Sequence, residues 1–237
     1  MRIAVFVKPI AISDSNQTYK FSINASEKVA LTEASKIIKL RGGDVVVFSI
    51  GDKQFIPYLN ELYGATEAYL ISDPLFSDID VFAKAEILVS AIRKSKPFDV
   101  LMFGEFSQDT SDWILPYLVA EKLNLPHISR AIKAWSEDSR IVCECVYYGD
   151  LYVKEARMPL AVSMLDALAY NARPIRDFKP KEVKVWDANF LGIKAITKKT
   201  KALNVKVLNQ RNPKLIEYNS YDDLADKLCD LIISNLK

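Results

Sequence analysis

Short apolar runs alternate with helical periodicity over the first hundred residues. Residues 2–7 form an apolar, β-branched run ending at Lys8-Pro9, the pattern of a buried strand that opens into a loop. From Ser26 onward Ala30, Ala34, Ile37, Ile38 and Arg41 share one helical face, and Gly42-Gly43 stops the helix. The cycle then repeats: 45–50 predicts a strand closed by Gly51, 56–63 a short helix closed by Gly64, and 68–71 a strand closed by Ser72-Asp73-Pro74. A longer amphipathic helix over 81–93 and a strand over 99–103, stopping at Gly104, complete the series. Strands alternating with helices through right-handed crossovers make a parallel sheet covered on both faces. The pattern therefore predicts a doubly wound, mostly parallel α/β fold of three layers.

After residue 125 the rhythm changes. Stretches 125–135, 141–148, 151–156 and 160–164 predict strands joined by short turns, one of them at Tyr148-Gly149-Asp150, and hence an antiparallel addition to the sheet. Residues 166–219 hold no sustained period; Arg173-Pro174, Lys179-Pro180 and Asn212-Pro213, with several lysines between, predict an extended C-terminal arm. Ser220 can cap a terminal helix with Asp223 at N3 and Leu224, Leu228, Leu231 and Ile232 along one face. The expected organisation is a nucleotide-binding-type α/β domain over 1–165, then an arm and docking helix over 166–237.

With half of its 237 residues apolar, the chain can bury a sizeable core without disulfides. Lys and Arg (32) nearly balance Asp and Glu (30), which argues against a nucleic-acid footprint or a polybasic membrane anchor. Cys143, Cys145, Cys229 and the single His127 are too few and too poorly spaced for a zinc or iron–sulfur ligand set. Cys143 and Cys145 read as small buried hydrophobes, and His127 as a strand-start residue rather than a base. The N-terminus enters a strand at once, and no apolar run is long enough to span a bilayer. A cytoplasmic protein with no direct membrane insertion is expected.

In an open parallel sheet, ligands bind beyond the carboxyl ends of the strands, where loops and helix N-termini offer N–H groups. Three loops qualify: Lys8-Pro9, Gly51-Asp52-Lys53, and the stretch from Gly104 to Ser111. In the last, Gly104 permits close backbone approach and Thr110 or Ser111 can cap the following helix, whereas Asp109 and Asp112 would repel an anion. A plain capped strand-to-helix connection is the competing reading of that loop. The fingerprints G-x-G-x-x-G, Walker A, G-x-S-x-G and H-E-x-x-H are all missing, and one histidine leaves no Ser-His-Asp relay. The residues point to binding rather than to catalytic groups of the chain's own.

An ordered series now carries a family pattern: Val5-Phe6-Val7-Lys8-Pro9, the stretch from Asn24 through Glu27 to Ala34, Tyr63-Gly64-Ala65, and the stretch from Asp99 through Gly104 to Asp109. Gly149, Met158-Pro159-Leu160, Asp166 with Asn171, and Leu191-Gly192-Ile193 follow in order. The series resembles the β subunit of electron-transfer flavoproteins over nearly the whole chain. That resemblance implies a Rossmann-like, adenine-nucleotide α-hydrolase-like fold and a heterodimer with an α subunit. FAD would be held mainly by α, with β covering the flavin ring and holding AMP or a second FAD. Electrons would pass from an acyl-CoA-type or other dehydrogenase to a quinone oxidoreductase or another acceptor, and the arm would wrap the partner.

Carried over residue by residue, the resemblance implies cofactor-binding roles for Val7, Lys8 and Pro9 after the first strand and for Asn24 on the adenine side. It implies the same for Gly104, Ser107 and Asp109, with Thr110 and Ser111 at the helix start. The chain departs from the family where Asn-Gln-Thr-Gly or Gln-Val-Gly would hold phosphate, because Trp113-Ile114-Leu115-Pro116 stands there. Without those donors the loop lacks an anion nest, so AMP is expected to bind weakly at best, with Trp113 and its neighbours packed inward as core. Ala25 replaces the helix-start proline, and Tyr147, Tyr148 and Tyr152 stand in the hairpin where charged or small residues are usual. Two other classes were open. A stand-alone adenine-nucleotide module of the universal-stress-protein kind needs a Gly-rich phosphate loop, and an ATP-pyrophosphatase-like enzyme needs Ser-Gly-Gly-x-Asp-Ser after the first strand; the chain has neither.

Overall fold

Strand β1 (Arg2–Phe6) is buried on both faces, and its alternation sends Ile3 and Val5 into one core, Ala4 and Phe6 into the other. The computed structural model describes residues 1–13, 19–107, 113–200 and 216–235. After β1 comes an antiparallel pair not foreseen from the sequence, β2 (Ile10–Ser13) and β3 (Tyr19–Ser22). Then follow α1 (Ala25–Arg41), β4 (Asp44–Ile50), α2 (Ile56–Asn60), β5 (Glu67–Ile71), α3 (Val81–Lys94), β6 (Val100–Gly104) and α4 (Leu115–Lys122). The turn from α1 into β4 requires glycine: Gly43 has φ of 117°, and a Cβ there would lie 1.8 Å from the Met1 carbonyl oxygen.

The remaining strands are β7 (His127–Glu137), β8 (Arg140–Tyr147), β9 (Asp150–Arg157), β10 (Leu160–Met164) and β11 (Val183–Trp186), followed by α5 (Ala188–Leu191). Among the described residues, the eleven strands and these five helices lie in the first of two compact units, Met1–Lys201. The main sheet has nine strands in the order β11-β5-β4-β1-β6-β10-β7-β8-β9. Only the β7/β8 and β8/β9 pairs are antiparallel. Helices α1 and α2 cover one face, and α3, α4 and α5 the other. The chain winds outward from β1 through β4 and β5, then returns to β6 on the other side of β1, which makes the β1/β6 boundary the topological switch point.

Two strands differ from expectation. β10, expected in the antiparallel addition, is parallel to both its neighbours, β6 and β7. Every residue of β10 is buried, and a run buried on both faces belongs to the parallel interior rather than to a half-exposed hairpin. β11 falls in the stretch expected as an arm, yet it pairs in parallel with β5, and Trp186 packs 4.4 Å from the Tyr69 ring. Its four residues are too few to register as a period.

The hairpins follow local chemistry. Tyr148 and Gly149 take φ of 52° and 93° between β8 and β9, the two positive values that a two-residue type I′ turn demands. Arg130 has φ of 59°, and the pairing of β7 with both neighbours shifts register beside it, as at a bulge. Beyond the bulge β7 runs along α1: Ala134 N–H donates to Glu33 Oε2 at 3.3 Å, and Arg41 Nη2 to the Asp138 carbonyl at 2.7 Å.

The second unit, Ala202–Lys237, contains α6 (Tyr221–Asn235). Its start is the Ser220 cap that the sequence predicts: Asp223 N–H donates to Ser220 Oγ at 3.2 Å, and Asp223 Oδ2 accepts Asn219 N–H at 3.0 Å. Among the described residues no helix is long and apolar enough to cross a membrane.

Candidate functional site

At the switch point a cavity of about 300 Å³ opens beyond the carboxyl ends of β1, β4 and β6. Of the predicted site residues, Val7, Lys8, Gly104 and Ser107 meet on its walls. Pro9 is buried off the wall, and Asn24 is buried at the start of α1. Asp109, Thr110 and Ser111 lie outside the described residues. The floor is aromatic: the Phe6 and Phe103 rings stack at 4.2 Å, with Phe48 5.8 Å from Phe6.

Glu27, on the cavity wall, organises the first loop. Its Oε2 accepts the N–H groups of Lys8 at 3.1 Å and Asn24 at 3.0 Å, and its Oε1 accepts Asn24 Nδ2 at 2.9 Å. Burial pushes its carboxyl up to about 7, against the pull of those donors and of the Lys8 charge. Gly104 abuts this helix start. A Cβ there would sit 2.5 Å from Ser26 Oγ and 2.8 Å from the Glu27 nitrogen, so its missing side chain makes room for α1 rather than for a ligand.

The next residue, Glu105, is 2 % exposed and gathers three donors: Arg130 N–H, Ser163 Oγ at 3.0 Å and Tyr117 OH at 3.2 Å. Because Ser163 gives its one proton to Glu105, it must accept from His127 Nε2 at 3.1 Å, which places the imidazole proton on Nε2. Burial lowers the His127 pKa to about 4, so the ring is neutral near pH 7. The network ties β6, β7, β10 and α4 together at the crevice end of the sheet. No local pattern pointed to Glu105, since its partners lie 12 to 58 residues away. Glu27 was missed as well, although its place as the acid three residues after Asn24 is the spacing of a capping box.

Two more helix starts border the cavity. At α3, Asp80 Oδ1 accepts Ala83 N–H at 2.9 Å, while Oδ2 accepts Lys199 N–H, Thr200 N–H and Thr200 Oγ1 at 2.7, 2.8 and 3.1 Å. Desolvation raises its pKa, but the hydrogen bonds from Ala83, Thr200 and Lys199 outweigh it and hold the carboxyl at about 2. At α4 the cap is Ile114, with no side-chain hydrogen bond, and Pro116 occupies the first turn without an N–H. Trp113 and Ile114 are not packed inward as expected: they are 45 % and 43 % exposed. They precede α4, whose buried side is made of Pro116, Val119 and Ala120. Among the described residues no cluster of His, Cys, Asp and Glu could hold a metal ion.

Fold and crevice together define a doubly wound α/β protein with a crevice at its topological switch point. The chain belongs to the electron transfer flavoprotein family: a model of the electron transfer flavoprotein domain matches residues 15–191. It is 29 % identical to an electron transfer flavoprotein subunit beta of Thermoanaerobacterium thermosaccharolyticum, over 73 % of this chain and 71 % of that one. Protein FixA of Azotobacter vinelandii is 26 % identical over 80 % and 72 % of the two chains. The caffeyl-CoA reductase-Etf complex subunit CarD of Acetobacterium woodii is 25 % identical over 72 % and 68 %.

Proposed function

We propose that this chain is the β subunit of a heterodimeric electron transfer flavoprotein, helping to hold FAD at the interface with an α subunit. It passes electrons from an acyl-CoA-type or other dehydrogenase to a quinone-linked or other acceptor. The observation that carries the reading is the family match over residues 15–191, which takes in the crevice residues from Glu27 to Pro116 and the β7–β9 hairpins. The relatives named as a beta subunit and as a subunit of a caffeyl-CoA reductase-Etf complex support the division into subunits and a CoA-linked redox partner.

The crevice supports FAD held mainly by the partner. About 300 Å³ is the floor of the usual range for small-molecule sites, roughly 300–1,000 Å³, and suits one ring system rather than the two of FAD. FAD, when bound, supplies the electron storage. The contribution of this chain is shape: β7, β8 and β9 extend one side of the sheet, and α6 carries exposed Leu228 and Ile232 for a docking surface.

AMP gains little support from the crevice, because at α3 the Asp80 carboxylate already accepts Ala83 N–H and at α4 Pro116 removes a first-turn donor. A stand-alone adenine-nucleotide module gains no support from a crevice so furnished. The reading is tested by co-expressing the chain with an α-type subunit of the family. Capture of a one-to-one complex that releases FAD on denaturation supports it; a chain that stays unpaired with every α-type subunit tried contradicts it.

A further inference from the structure

On the side away from β11 the nine-stranded sheet ends in β9. This strand has eight residues and no proline, and its Leu151, Tyr152 and Val153 are 60 %, 46 % and 67 % exposed. An edge of that kind presents a row of backbone N–H and C=O groups to any strand laid beside it. In a two-residue hairpin the pair flanking the loop, here Tyr147 and Asp150, exchanges backbone hydrogen bonds, and the pattern alternates from there. Asp150, Tyr152 and Lys154 therefore turn their backbone groups toward β8, while Leu151, Val153 and Glu155 turn theirs outward. The side chains alternate as well, with Leu151 and Val153 on one face and Asp150, Tyr152 and Lys154 on the other.

This strand is complementary to itself. Laid antiparallel against a second copy with Tyr152 opposite Tyr152, Leu151 meets the second copy's Val153 and Asp150 meets its Lys154, and the two-fold axis repeats both pairs. Leu151 and Val153 are the residues with outward backbone groups, so each of their pairs exchanges both hydrogen bonds. With the axis at Val153 instead, Leu151 would oppose Glu155 and Asp150 would oppose Ala156; with the axis at Lys154, two lysines would face each other. Only the register at Tyr152 makes hydrogen bonding, apolar contact and charge agree. One strand from each copy covers little surface, which places the contact among weak interfaces of under about 1,200 Å² in total.

We propose that β9 is a self-association edge, through which two copies of this chain join their sheets with Tyr152 on the two-fold axis and Asp150 paired to Lys154 of the second copy. The contact is separate from pairing with an α-type subunit and is tested without one. The measurement is sedimentation velocity of the full chain over roughly 1 μM to 1 mM, the span expected for a weak interface. The unaltered chain should pass from monomer to dimer within it; a chain still monomeric at about 1 mM overturns the proposal. Val153→Pro removes an N–H that points away from β8, so it should keep the circular dichroism of the fold and abolish the dimer. Asp150→Lys sets like charges opposite each other in both symmetric pairs and should weaken the dimer about tenfold, and adding Lys154→Asp should restore it. A dimer as strong in Asp150→Lys as in the unaltered chain, or no recovery in the double variant, overturns the proposal. If Val153→Pro fails to fold, the charge exchange decides alone.

Discussion

Glu27 and His127 are buried titratable groups whose pH effects run in opposite directions. The Glu27 carboxyl titrates at about 7 in the fold and near 4.3 when unfolded, so the folded state holds the extra proton between those values. Stability contributed by Glu27 therefore falls as pH rises through that window, by up to roughly 3 kcal/mol. His127 titrates at about 4 in the fold against near 6.5 unfolded, so its contribution is complete above about 6.5 and is lost as pH falls toward 4. Between about 4.3 and 6.5 the two slopes oppose, and the urea midpoint of the unaltered chain should stay nearly level. In Glu27→Gln only the His127 slope remains, and the midpoint should climb with pH; a level midpoint in that variant contradicts the assignment.

Gly104 gives a second expectation at this scale. Gly104→Ala would drive a methyl group against Ser26 Oγ and the backbone nitrogen of Glu27, and backbone cannot swing aside. A loss of about 1–3 kcal/mol in urea denaturation is expected; an unchanged midpoint would mean that α1 is not locked to β6. The part of the site built from neighbours in sequence, Asn24 with Glu27, carries a spacing signal, an acid three residues after the cap, which the reading of the helix from Ser26 onward did not use. Glu105, Ser163 and His127 carry no such signal, because only the parallel pairing of β6, β10 and β7 brings them together.

Among the elements, the long periodic ones matched their patterns, since an apolar stripe over several turns or a run of buried β-branched residues leaves one way to pack. The misreadings were short or ambiguous runs. The five residues of β10 fit a hairpin strand or a central one equally well until their burial is known. The four residues of β11 make too little pattern to separate from an irregular arm.

That strand changes what is expected of the arm: amides of 183–186 paired to β5 should exchange slowly in the isolated chain. Hydrogen exchange at the rate of an unstructured peptide there would contradict the pairing. Asp80 ties the next stretch to α3, so Asp80→Ala should cost about 1 kcal/mol as a lost cap and strip protection from the Lys199 and Thr200 amides. Retained protection at those two amides would mean that another group holds the stretch.

At the scale of the whole molecule, the chain brings a doubly wound sheet whose crevice, at about 300 Å³, is small for a dinucleotide. That size follows if the flavin is shared and its larger part belongs to a second subunit. The deciding quantity is the flavin retained per chain through gel filtration, measured on the isolated chain and on its complex with an α-type subunit. Near-zero FAD on the chain alone and one FAD per heterodimer is the expected result; FAD retained one-to-one by the isolated chain would contradict it.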